Sequence, residues 1–501
     1  MSDNSIGKVI NASFNYFQFK SNKNILSDSF VITQIGKLRF LLGRVIDVSI
    51  NPENERIYIV NVLNIVSIIN KEFKFDNPRE PAIYGSDVVL PSSTLIASAL
   101  GLSSDYAAGI YIGSFDSERV CLRTSVLARH VFIGGVTGSG KSNLGNIMIK
   151  EFYRLRIPSI IIDTQKDYIE TTRKLGGSVL VPGIDFSVPI STLSSEEALY
   201  IAEGLRGSKG YPVFIFAFNK LKRKANKSSD HYFSLDQLLE VIKKEAIETF
   251  KLPAIEYNTA MAIIEASVQE YLFFKPSISS INLIKLVNSK GPSVIDCSEI
   301  DTQQTQIVTT CLIRELYDLV KQKKIPSYSL IIDEAHLFLP DNSNPICKSV
   351  LAENIKIGRH YGIKIVLITQ NPLDIDKKSL SQCGTRILFC TEEDQLKALH
   401  GIRSDITKSM LDNLPKLPVG TCILFGNYET IRHAIVVNVP ENTLKGDDNQ
   451  YSFTETFIIF FQELFLILKY KKMLDNYIIR YRRKLSGAEV YTDLCRKFAK
   501  Q

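Results

Sequence analysis

The sequence predicts an α/β fold with a parallel sheet, preceded by a small β-barrel and followed by a helical tail. Three observations support this prediction. Apolar strand-like runs alternate with helical patterns between about residues 126 and 440, which is typical of a parallel sheet covered on both faces. A glycine-rich turn separates one of these runs from a helical pattern. Short runs of Val, Ile, Phe and Tyr, divided by Asn, Gly, Asp and Lys, occupy residues 1 to about 75.

The composition is that of a globular protein with more than one domain. The chain has 501 residues, of which 45% are hydrophobic and 23% are charged, and a single core rarely grows to this size. A net charge of +7 permits an anionic partner such as DNA but does not require one. The eight cysteines form no C-x-x-C pair, which argues against a zinc site and favours reduced thiols in the cytoplasm. We find no signal peptide and no apolar run that could span a bilayer, so we expect no membrane association.

These patterns predict three domains. Residues 1–125 are expected to form the β-barrel and a connector, without catalytic groups. Residues 126–440 are expected to form the α/β core, with a helical insertion at about 204–285. Residues 441–501 are expected to form a linker and a helical tail. The strands of the core are predicted at residues 131–133, 158–163, 293–296, 329–334, 363–370, 386–389, 421–425 and 434–437.

A basic run at residues 219–227 lies within the predicted insertion. Charge runs of this kind are usually solvated, so we favour a solvated loop over a contact with DNA. Residues 235–250 and 254–274 show helical patterns.

The glycine-rich turn at residues 135–142 fits the pattern G-x-x-x-x-G-K-[ST], which cradles phosphates. Its strand-turn-helix context argues against a chance glycine-rich loop. The glycines let backbone N–H groups close around phosphates, and the start of the helix adds positive potential. Lys141 is expected to reach the β and γ phosphates, and Ser142 is expected to hold Mg²⁺. The predicted ATP-binding residues here are Gly135, Val136, Thr137, Gly138, Ser139, Gly140, Lys141 and Ser142.

A pair of carboxylates, Asp333 and Glu334, ends a predicted buried strand. Asp333 is expected to hold the Mg²⁺ shell, and Glu334 is expected to polarise the attacking water. Together with the phosphate-binding turn, the pair predicts a nucleotide hydrolase. Asp-Glu-Ala-His at 333–336 also occurs in helicases with two cores, but too little chain follows for a second core. His336 has no metal partner in the sequence pattern and is expected to be structural.

Two further carboxylates, Asp163 and Asp167, lie at the end of the strand predicted beside the turn. They are expected to face the nucleotide and to help orient water or the metal. A helix cap is an equally good interpretation of Asp167. Gln370 ends the strand that follows the acidic pair and could contact the γ-phosphate.

Three arginines, Arg129, Arg359 and Arg386, are candidates for an arginine finger. A finger stabilises charge on the transferring phosphoryl group and can come from another subunit. A given arginine is more often a salt-bridge partner, so residue type alone does not choose among them.

Seven stretches, taken in order, resemble the HerA family of DNA translocases, which are relatives of FtsK-type motors. The resemblance covers most of residues 126–440, and the N-terminal β region resembles the HAS-barrel of that family. Two stretches depart from the family pattern: it often has Asp-x-His-Gly-Glu-Tyr where this chain has 163–168, and Arg-Glu-Gly-Arg-Lys where it has 356–360. The matching stretches are Leu-Ala-Arg-His at 127–130, the phosphate-binding turn with Asn143, Asp163 with Asp167 and Tyr168, Asp-Glu-Ala-His at 333–336, Gly-Arg-His-Tyr-Gly at 358–362, Thr-Gln-Asn-Pro at 369–372 and Leu-Ser-Gln-Cys at 380–383.

The resemblance implies a RecA-like core in a homohexameric ring, with ATP between subunits and double-stranded DNA in the pore. It adds Asn143 to the nucleotide-binding residues and makes Gln370 a sensor of the γ-phosphate. It implies that Arg129 acts on a neighbouring subunit and that Arg359 acts within its own, whereas Arg386 matches the family less well. Lys141, Ser142, Asp333 and Glu334 keep the roles given above.

Such motors act with a nuclease of the NurA kind or with another effector protein, because they carry no nuclease chemistry themselves. The function predicted from the sequence is therefore an ATP-driven hexameric translocase or helicase for double-stranded DNA, in DNA end processing or anti-phage defence. The alternative is a nucleotide-gated scaffold ATPase that regulates an effector without translocation. A membrane-associated secretion ATPase is disfavoured, because no transmembrane segment is predicted.

Overall fold

The computed structural model describes residues 5–51, 55–70, 72–116, 118–227, 233–270, 281–392, 394–395 and 406–442. The tail predicted at 441–501 therefore lies outside the described residues, apart from its first two positions. No helix among the described residues is long and apolar enough to cross a membrane.

The first seven strands form the predicted barrel. Six of them close into a ring in the order β2-β1-β7-β3-β4-β5, because β5 also pairs with β2, and β6 adds to β5 outside the ring. Closure leaves no free edge within the ring. Phe17, Phe19 and Val60 alternate with polar residues and fill its interior. The strands are β1 Ser5–Ala12, β2 Tyr16–Ser21, β3 Phe30–Gly36, β4 Arg39–Ile50, β5 Arg56–Ile69, β6 Glu72–Asp76 and β7 Asp87–Val89.

The barrel and the core share buried contacts. Phe30 and Leu42 of the barrel belong to the same apolar cluster as Leu424 and Ile435 of the core. The fully buried Arg44 donates from its guanidinium to the carbonyl oxygen of Ala434 at 2.6 Å. It also lies over the ring of Phe30, 5.1 Å from the ring centroid. Helix α1, Ser93–Leu100, follows the barrel.

The core is built on one sheet of eleven strands. Their order is β12-β13-β11-β14-β15-β10-β16-β17-β18-β8-β9, and the first seven run parallel. The parallel sheet predicted from the sequence is therefore confirmed, and all eight predicted strands are present. The strands are β8 Gly109–Phe115, β9 Glu118–Arg123, β10 Val131–Gly134, β11 Ser159–Asp163, β12 Ser178–Leu180, β13 Ser293–Asp296, β14 Ser329–Ile332, β15 Lys364–Thr369, β16 Thr385–Leu388, β17 Thr421–Gly426 and β18 Ile435–Asn438.

The sheet differs from the prediction at its two ends. The last four strands are antiparallel, since the short connections within the β8–β9 and β17–β18 hairpins allow only that direction. Strands β8 and β9 precede the domain boundary predicted near residue 125, yet they pair with the core sheet rather than with the barrel. At the other end, β12 is a three-residue strand that the apolar pattern did not reveal.

Helices cover both faces of the parallel part of the sheet. The core helices are α2 Lys141–Arg154, α3 Ile169–Lys174, α9 Thr302–Lys321, α10 Ile346–Ile357, α11 Lys377–Gln382 and α12 Lys408–Asn413. The predicted helical insertion is present and comprises α4 Ser195–Ala198, α5 Gly210–Ala225, α6 Leu235–Glu248, α7 Ala254–Glu270 and α8 Leu283–Val287. Helix α6 starts with a capping box between Ser234 and Gln237.

The basic run at 219–227 is mostly helical, so its prediction as a loop was wrong. Its first seven residues form the last turns of α5. Lys and Arg are good helix formers, and Leu221 and Ala225 continue the buried face that Val213 and Phe214 begin. The pattern was therefore that of an amphipathic helix with a basic outer face.

Candidate nucleotide-binding site

The phosphate-binding turn follows β10, the middle strand of the eleven-stranded sheet. Strand β10 lies between β15 and β16, and α2 begins directly after the turn, at Lys141. The backbone of Gly135 has φ +153°, and a Cβ there would lie 2.7 Å from the Cβ of Phe389. Gly140 has φ +117°. A side chain at either glycine would be strained, so the local fold depends on both.

The turn has the shape and the donors that a phosphate needs. It is held from outside, because the Val136 amide donates to Cys390 O at 2.8 Å and Ser139 O accepts from the Gly420 amide at 3.0 Å. Gly138 has φ +76° and has no atom within 4 Å of an added Cβ, so this part of the loop is open. An open loop at a helix start fits an anionic group.

Lys141 lies against its own turn. Its ammonium donates to Val136 O at 2.9 Å, and the residue is only 9% exposed. Burial lowers the pKa of Lys141, and the nearby Glu334 and Asp333 carboxylates act in the opposite direction. Lys141 is thus held within the site by a carbonyl contact that a phosphate oxygen could replace.

Ser142 and Asp167 form a direct pair. The Ser142 hydroxyl donates to Asp167 Oδ2 at 2.5 Å. Helix α3 begins at Ile169 after Tyr168, and no side chain caps it, so the structure does not support the alternative of Asp167 as a helix cap. Asp167 lies beside the hydroxyl that was predicted to hold the metal.

Asp163 has a different place from the one predicted. Its Oδ1 accepts from the amides of Gln165 and Asp167, and its Oδ2 accepts from the amide of Tyr168. The carboxylate is fully buried, and burial raises its pKa. Both oxygens therefore hold the turn that presents Gln165 and Asp167, and the carboxylate does not face the nucleotide as the sequence suggested.

The acidic pair follows β14 and is almost completely buried. Asp333 is 5% exposed, and burial together with the neighbouring Glu334 raises its pKa to about 8. Glu334 has a left-handed backbone, with φ +47° and ψ +48°, a conformation that is strained for a residue other than glycine. Strain of this kind is common where a side chain is aimed for function.

Two residues that sequence reasoning left without a role contact Glu334. The Gln165 side chain donates from Nε2 to Glu334 Oε1 at 2.8 Å. His336 Nδ1 lies 3.3 Å from Glu334 Oε2 and forms a hydrogen bond with Thr369 Oγ1 at 3.1 Å. Glu334 Oε2 is buried without a hydrogen bond among the described residues. An unsatisfied buried acceptor at this position fits a water molecule or another donor that arrives with the nucleotide.

Gln370 is joined to the phosphate-binding turn. Thr137 donates from its hydroxyl to Gln370 Oε1 at 2.5 Å. Strand β15, which ends just before Gln370, is the direct neighbour of β10 in register Gly134 to Thr369. The structure thus brings Gln370 to the turn, and its contact with the γ-phosphate stays a prediction.

Asn143 is not directed at the turn. Its side-chain amide donates to Pro440 O at 2.8 Å, and its Oδ1 accepts from the amide of Asn442 at 2.8 Å. Both amide atoms are therefore used to hold the end of the core against α2, although Asn143 was predicted to bind nucleotide.

The predicted fingers lie at the other edge of the sheet. Arg129 lies two residues before β10, and Arg359 lies in the helical turn Gly358–Tyr361 before β15. Strand β15 has six residues, so about 20 Å separate its two ends, which is more than an arginine side chain can cover. The expectation that Arg359 acts within its own subunit does not fit this geometry.

We call the edge with the turn, Glu334 and Gln370 the nucleotide edge, and the edge with Arg129, His130 and Arg359 the arginine edge.

The buried imidazole of His130 joins two chain segments at the arginine edge. Its Nε2 bonds to Ile355 O at 2.8 Å, and its Nδ1 accepts from the Ile365 amide at 3.1 Å. These partners fix the tautomer with the proton on Nε2. Burial lowers the pKa of His130 to about 4, with a further contribution from the Arg359 charge.

The three arginines differ in exposure. Arg129 is 38% exposed and forms an ion pair with Glu429 at the surface, and Arg359 is also exposed. Arg386 lies within β16 opposite Phe132 and is 6% exposed, and burial lowers its pKa. A neighbouring molecule could therefore reach the first two, but Arg386 belongs to the interior of the sheet.

Comparison with known proteins gives one consistent family. Residues 110–316 match the family described as "Helicase HerA, central domain", and residues 249–413 match "Helicase HerA-like C-terminal". A DNA double-strand break repair helicase HerA of Sulfolobus acidocaldarius is 23% identical over 75% of this chain and 77% of its own. A probable helicase of Methanocaldococcus jannaschii is 22% identical over 79% of each chain.

Among solved structures, VirB4 of Thermoanaerobacter pseudethanolicus has a similar fold. It superimposes with a TM-score of 0.54 at 17% sequence identity, over 68% of this chain and 98% of its own. At this level of identity, the likeness concerns the fold alone.

Proposed function

The chain belongs to the HerA helicase family, and from this premise we propose that it is an ATP-driven translocase for double-stranded DNA. The family is one of P-loop ATPases, and the nucleotide edge carries the groups for ATP hydrolysis. Two relatives that align with three quarters of this chain are named as DNA double-strand break repair helicases. We therefore infer that this chain uses the energy of ATP hydrolysis to move DNA.

The observation that carries the proposal is the separation of the two edges. A turn for phosphates, a buried acidic pair and Gln370 meet at one edge, whereas the exposed arginines lie at the other. An arginine at the amino end of β10 or β15 can reach a nucleotide only on another subunit. We infer a ring in which each site is completed by the arginine edge of the next subunit, because head-to-tail contacts close into rings. We propose six subunits for this ring, because the resemblance to the family implies a hexamer.

Each side chain of the nucleotide edge then has a task. Lys141 exchanges its contact with Val136 O for phosphate oxygens, and Glu334 accepts a proton from the attacking water. Gln370 senses the γ-phosphate through its contact with the turn. Ser142 and Asp333 have the oxygen donors that Mg²⁺ prefers, with Asp167 beside them, and the ion would neutralise phosphate charge. Asp163 serves as a positioning residue.

Arg129 and Arg359 are proposed to act on the neighbouring nucleotide. Arg129 must first leave Glu429, and a surface ion pair of this kind contributes only about 0 to 1 kcal/mol. In the ring we place duplex DNA in the pore, with a nuclease of the NurA kind or another effector as the partner. We propose the cytoplasm as the location of the protein, because its proposed substrate is duplex DNA.

The experiment is the rate of ATP hydrolysis with and without linear duplex DNA, together with the particle mass in solution. A particle of about six subunits whose hydrolysis increases with duplex DNA would support the translocase. A particle of that mass whose hydrolysis ignores DNA would favour a nucleotide-gated scaffold that regulates an effector. An active monomer would contradict the shared site altogether.

A further inference from the structure

A groove of about 790 Å³ lies along the outer face of α5, in the helical insertion. Its walls combine aromatic rings with cations, and the described residues that line it include no acidic one. The residues that matter here are Tyr211, Phe216, Phe250, Arg223, Lys224 and Lys227. The groove is separate from the nucleotide edge, since neither the phosphate-binding turn nor the acidic pair contributes to it.

The aromatic part is exposed at one end of the helix. The inner face of α5 is buried in the core, but Tyr211 is 37% and Phe216 42% exposed on the outer face. The ring of Phe216 meets that of Phe250 edge to face, with centroids 5.6 Å apart. This contact fixes the ring of Phe216 while leaving much of it open to solvent. Exposed rings next to each other mark a surface that binds something.

The cationic part continues along the same helix. Lys220 is neutralised, because its ammonium lies 2.6 Å from Glu245 Oε1. Arg223 and Lys224 are exposed, as is Lys227 just after the helix, and these three have no ion-pair partner among the described residues. Three cations without partners form a local positive potential that the overall charge of +7 does not reveal.

We propose that this groove binds single-stranded nucleic acid. Cations spaced along a helix can follow successive phosphates, and exposed rings can stack on bases, which is how single strands are bound without sequence preference. From Tyr211 to Lys227 the chain extends over about 24 Å, enough for several nucleotides. An acidic peptide would satisfy the cations but would leave the rings without a matching partner.

The proposal is independent of where duplex DNA binds. A duplex presents its bases to each other, so the rings of the groove could not stack on them. A groove of this kind would hold a strand that has been separated from its complement, for example at a processed DNA end. The inference therefore concerns a second nucleic-acid surface, on the insertion rather than in a pore.

The test uses the full-length chain and a fluorescent thymidine oligonucleotide, with binding followed by anisotropy at several salt concentrations. Arg223→Ala/Lys224→Ala should weaken binding about tenfold and reduce the slope of log K against log salt by about 1.4, as expected for two lost phosphate contacts. Phe216→Ala should also weaken binding about tenfold while leaving the slope unchanged, because stacking is not ionic.

The matched control is Lys323→Ala/Lys324→Ala, which removes the same charge from two exposed lysines just after helix α9, outside the groove. It should bind the oligonucleotide like the unmodified chain, and blunt duplex DNA should bind all four proteins equally. An equal loss in the control would show a general charge effect and overturn the proposal. So would unchanged oligonucleotide binding by Phe216→Ala, or competition by polyglutamate as strong as by the oligonucleotide in the unmodified chain.

Discussion

The two edges of the large sheet are built in opposite ways. At the nucleotide edge, the functional side chains bond to one another: Ser142 to Asp167, Gln165 to Glu334 and Thr137 to Gln370. At the arginine edge, Arg359 is exposed and Arg129 forms an ion pair only at the surface, with Glu429, while the buried His130 imidazole and the carbonyl of Arg129 bond to neighbouring segments. The functional side chains of one edge are therefore bonded to one another within the subunit, whereas the arginines of the other edge lie at the surface, where the proposed ring would place a neighbour.

In the ring proposed above, this difference means that one subunit carries two halves of a catalytic set rather than one whole. The distance across the sheet prevents a subunit from using its own arginines. Assembly and catalysis are then a single requirement, and the comparison can be tested by damaging the two edges separately.

The largest effect is expected from pairing two inactive variants. Arg129→Ala should lower the ATPase rate by about a thousandfold, as does the loss of an arginine finger elsewhere. Glu334→Gln should retain ATP binding and lose turnover by at least about a hundredfold. Mixed subunits should recover activity, since random mixing makes about one interface in four complete in a head-to-tail ring.

The mixing experiment has its own control. Glu334→Gln mixed with Lys141→Ala damages the nucleotide edge of every subunit, so no interface can be complete. Recovery in this control, or no recovery in the Arg129→Ala mixture at equal assembly, would show that the two edges do not work across an interface.

A smaller effect is expected on the stability of the arginine edge. The pKa of His130 is lowered to about 4 in the folded chain from an ordinary 6.5, so between these pH values the unfolded chain binds a proton that the folded chain does not. Stability should therefore fall as the pH falls from about 6.5 to about 4, by up to about 3 kcal/mol. The measurement is the midpoint of urea unfolding at pH 7 and pH 5.

Two variants isolate the histidine in that measurement. His130→Gln removes the titrating group, so its midpoint should depend less on pH. His433→Gln, at another partly buried histidine, should keep the full dependence. Equal pH dependence in both variants would mean that other groups cause the loss.

The smallest effect concerns the orientation of Glu334. Gln165→Ala removes the hydrogen bond to Glu334 Oε1, so we expect kcat to fall about tenfold with KM for ATP unchanged, since orientation matters in the transition state. Gln303→Ala, which removes an amide bonded to Tyr200 O in the insertion, should change neither constant. A rise in KM without a change in kcat would place Gln165 in ATP binding instead.

The sequence was most informative for features that depend on residues close together in the chain. Buried strands are continuous apolar runs, so six of the seven parallel strands and the antiparallel β17 and β18 were found from their residues, and the turn at 135–142 was clear from its glycines. Short or edge strands lack that signal: β12 has three half-buried residues, and the place of β8 and β9 depends on pairing with a distant β18. At the end of α5, the basic residues of the outer face led to the prediction of a loop, although apolar residues between them form the buried face of a helix.

The site was less predictable from the sequence, because the fold decides at which end of a strand a residue lies and where its side chain points. Arg359 and Gln370 are close in sequence, yet the strand between them puts them at opposite edges of the sheet. Asp163 carries the expected carboxylate, but its partners are backbone amides that no motif reveals. Gln165 touches Glu334 only after two segments that are distant in sequence come together, whereas His336 lies two residues from Glu334 in the same turn.

The buried Arg44 has a mechanical consequence. Its guanidinium lies in the barrel, but the carbonyl that it needs belongs to Ala434, at the start of β18. Separating the two would break this buried hydrogen bond and expose apolar side chains on both sides, and both changes cost free energy. We therefore expect a force applied to the barrel to reach the sheet that carries the nucleotide edge.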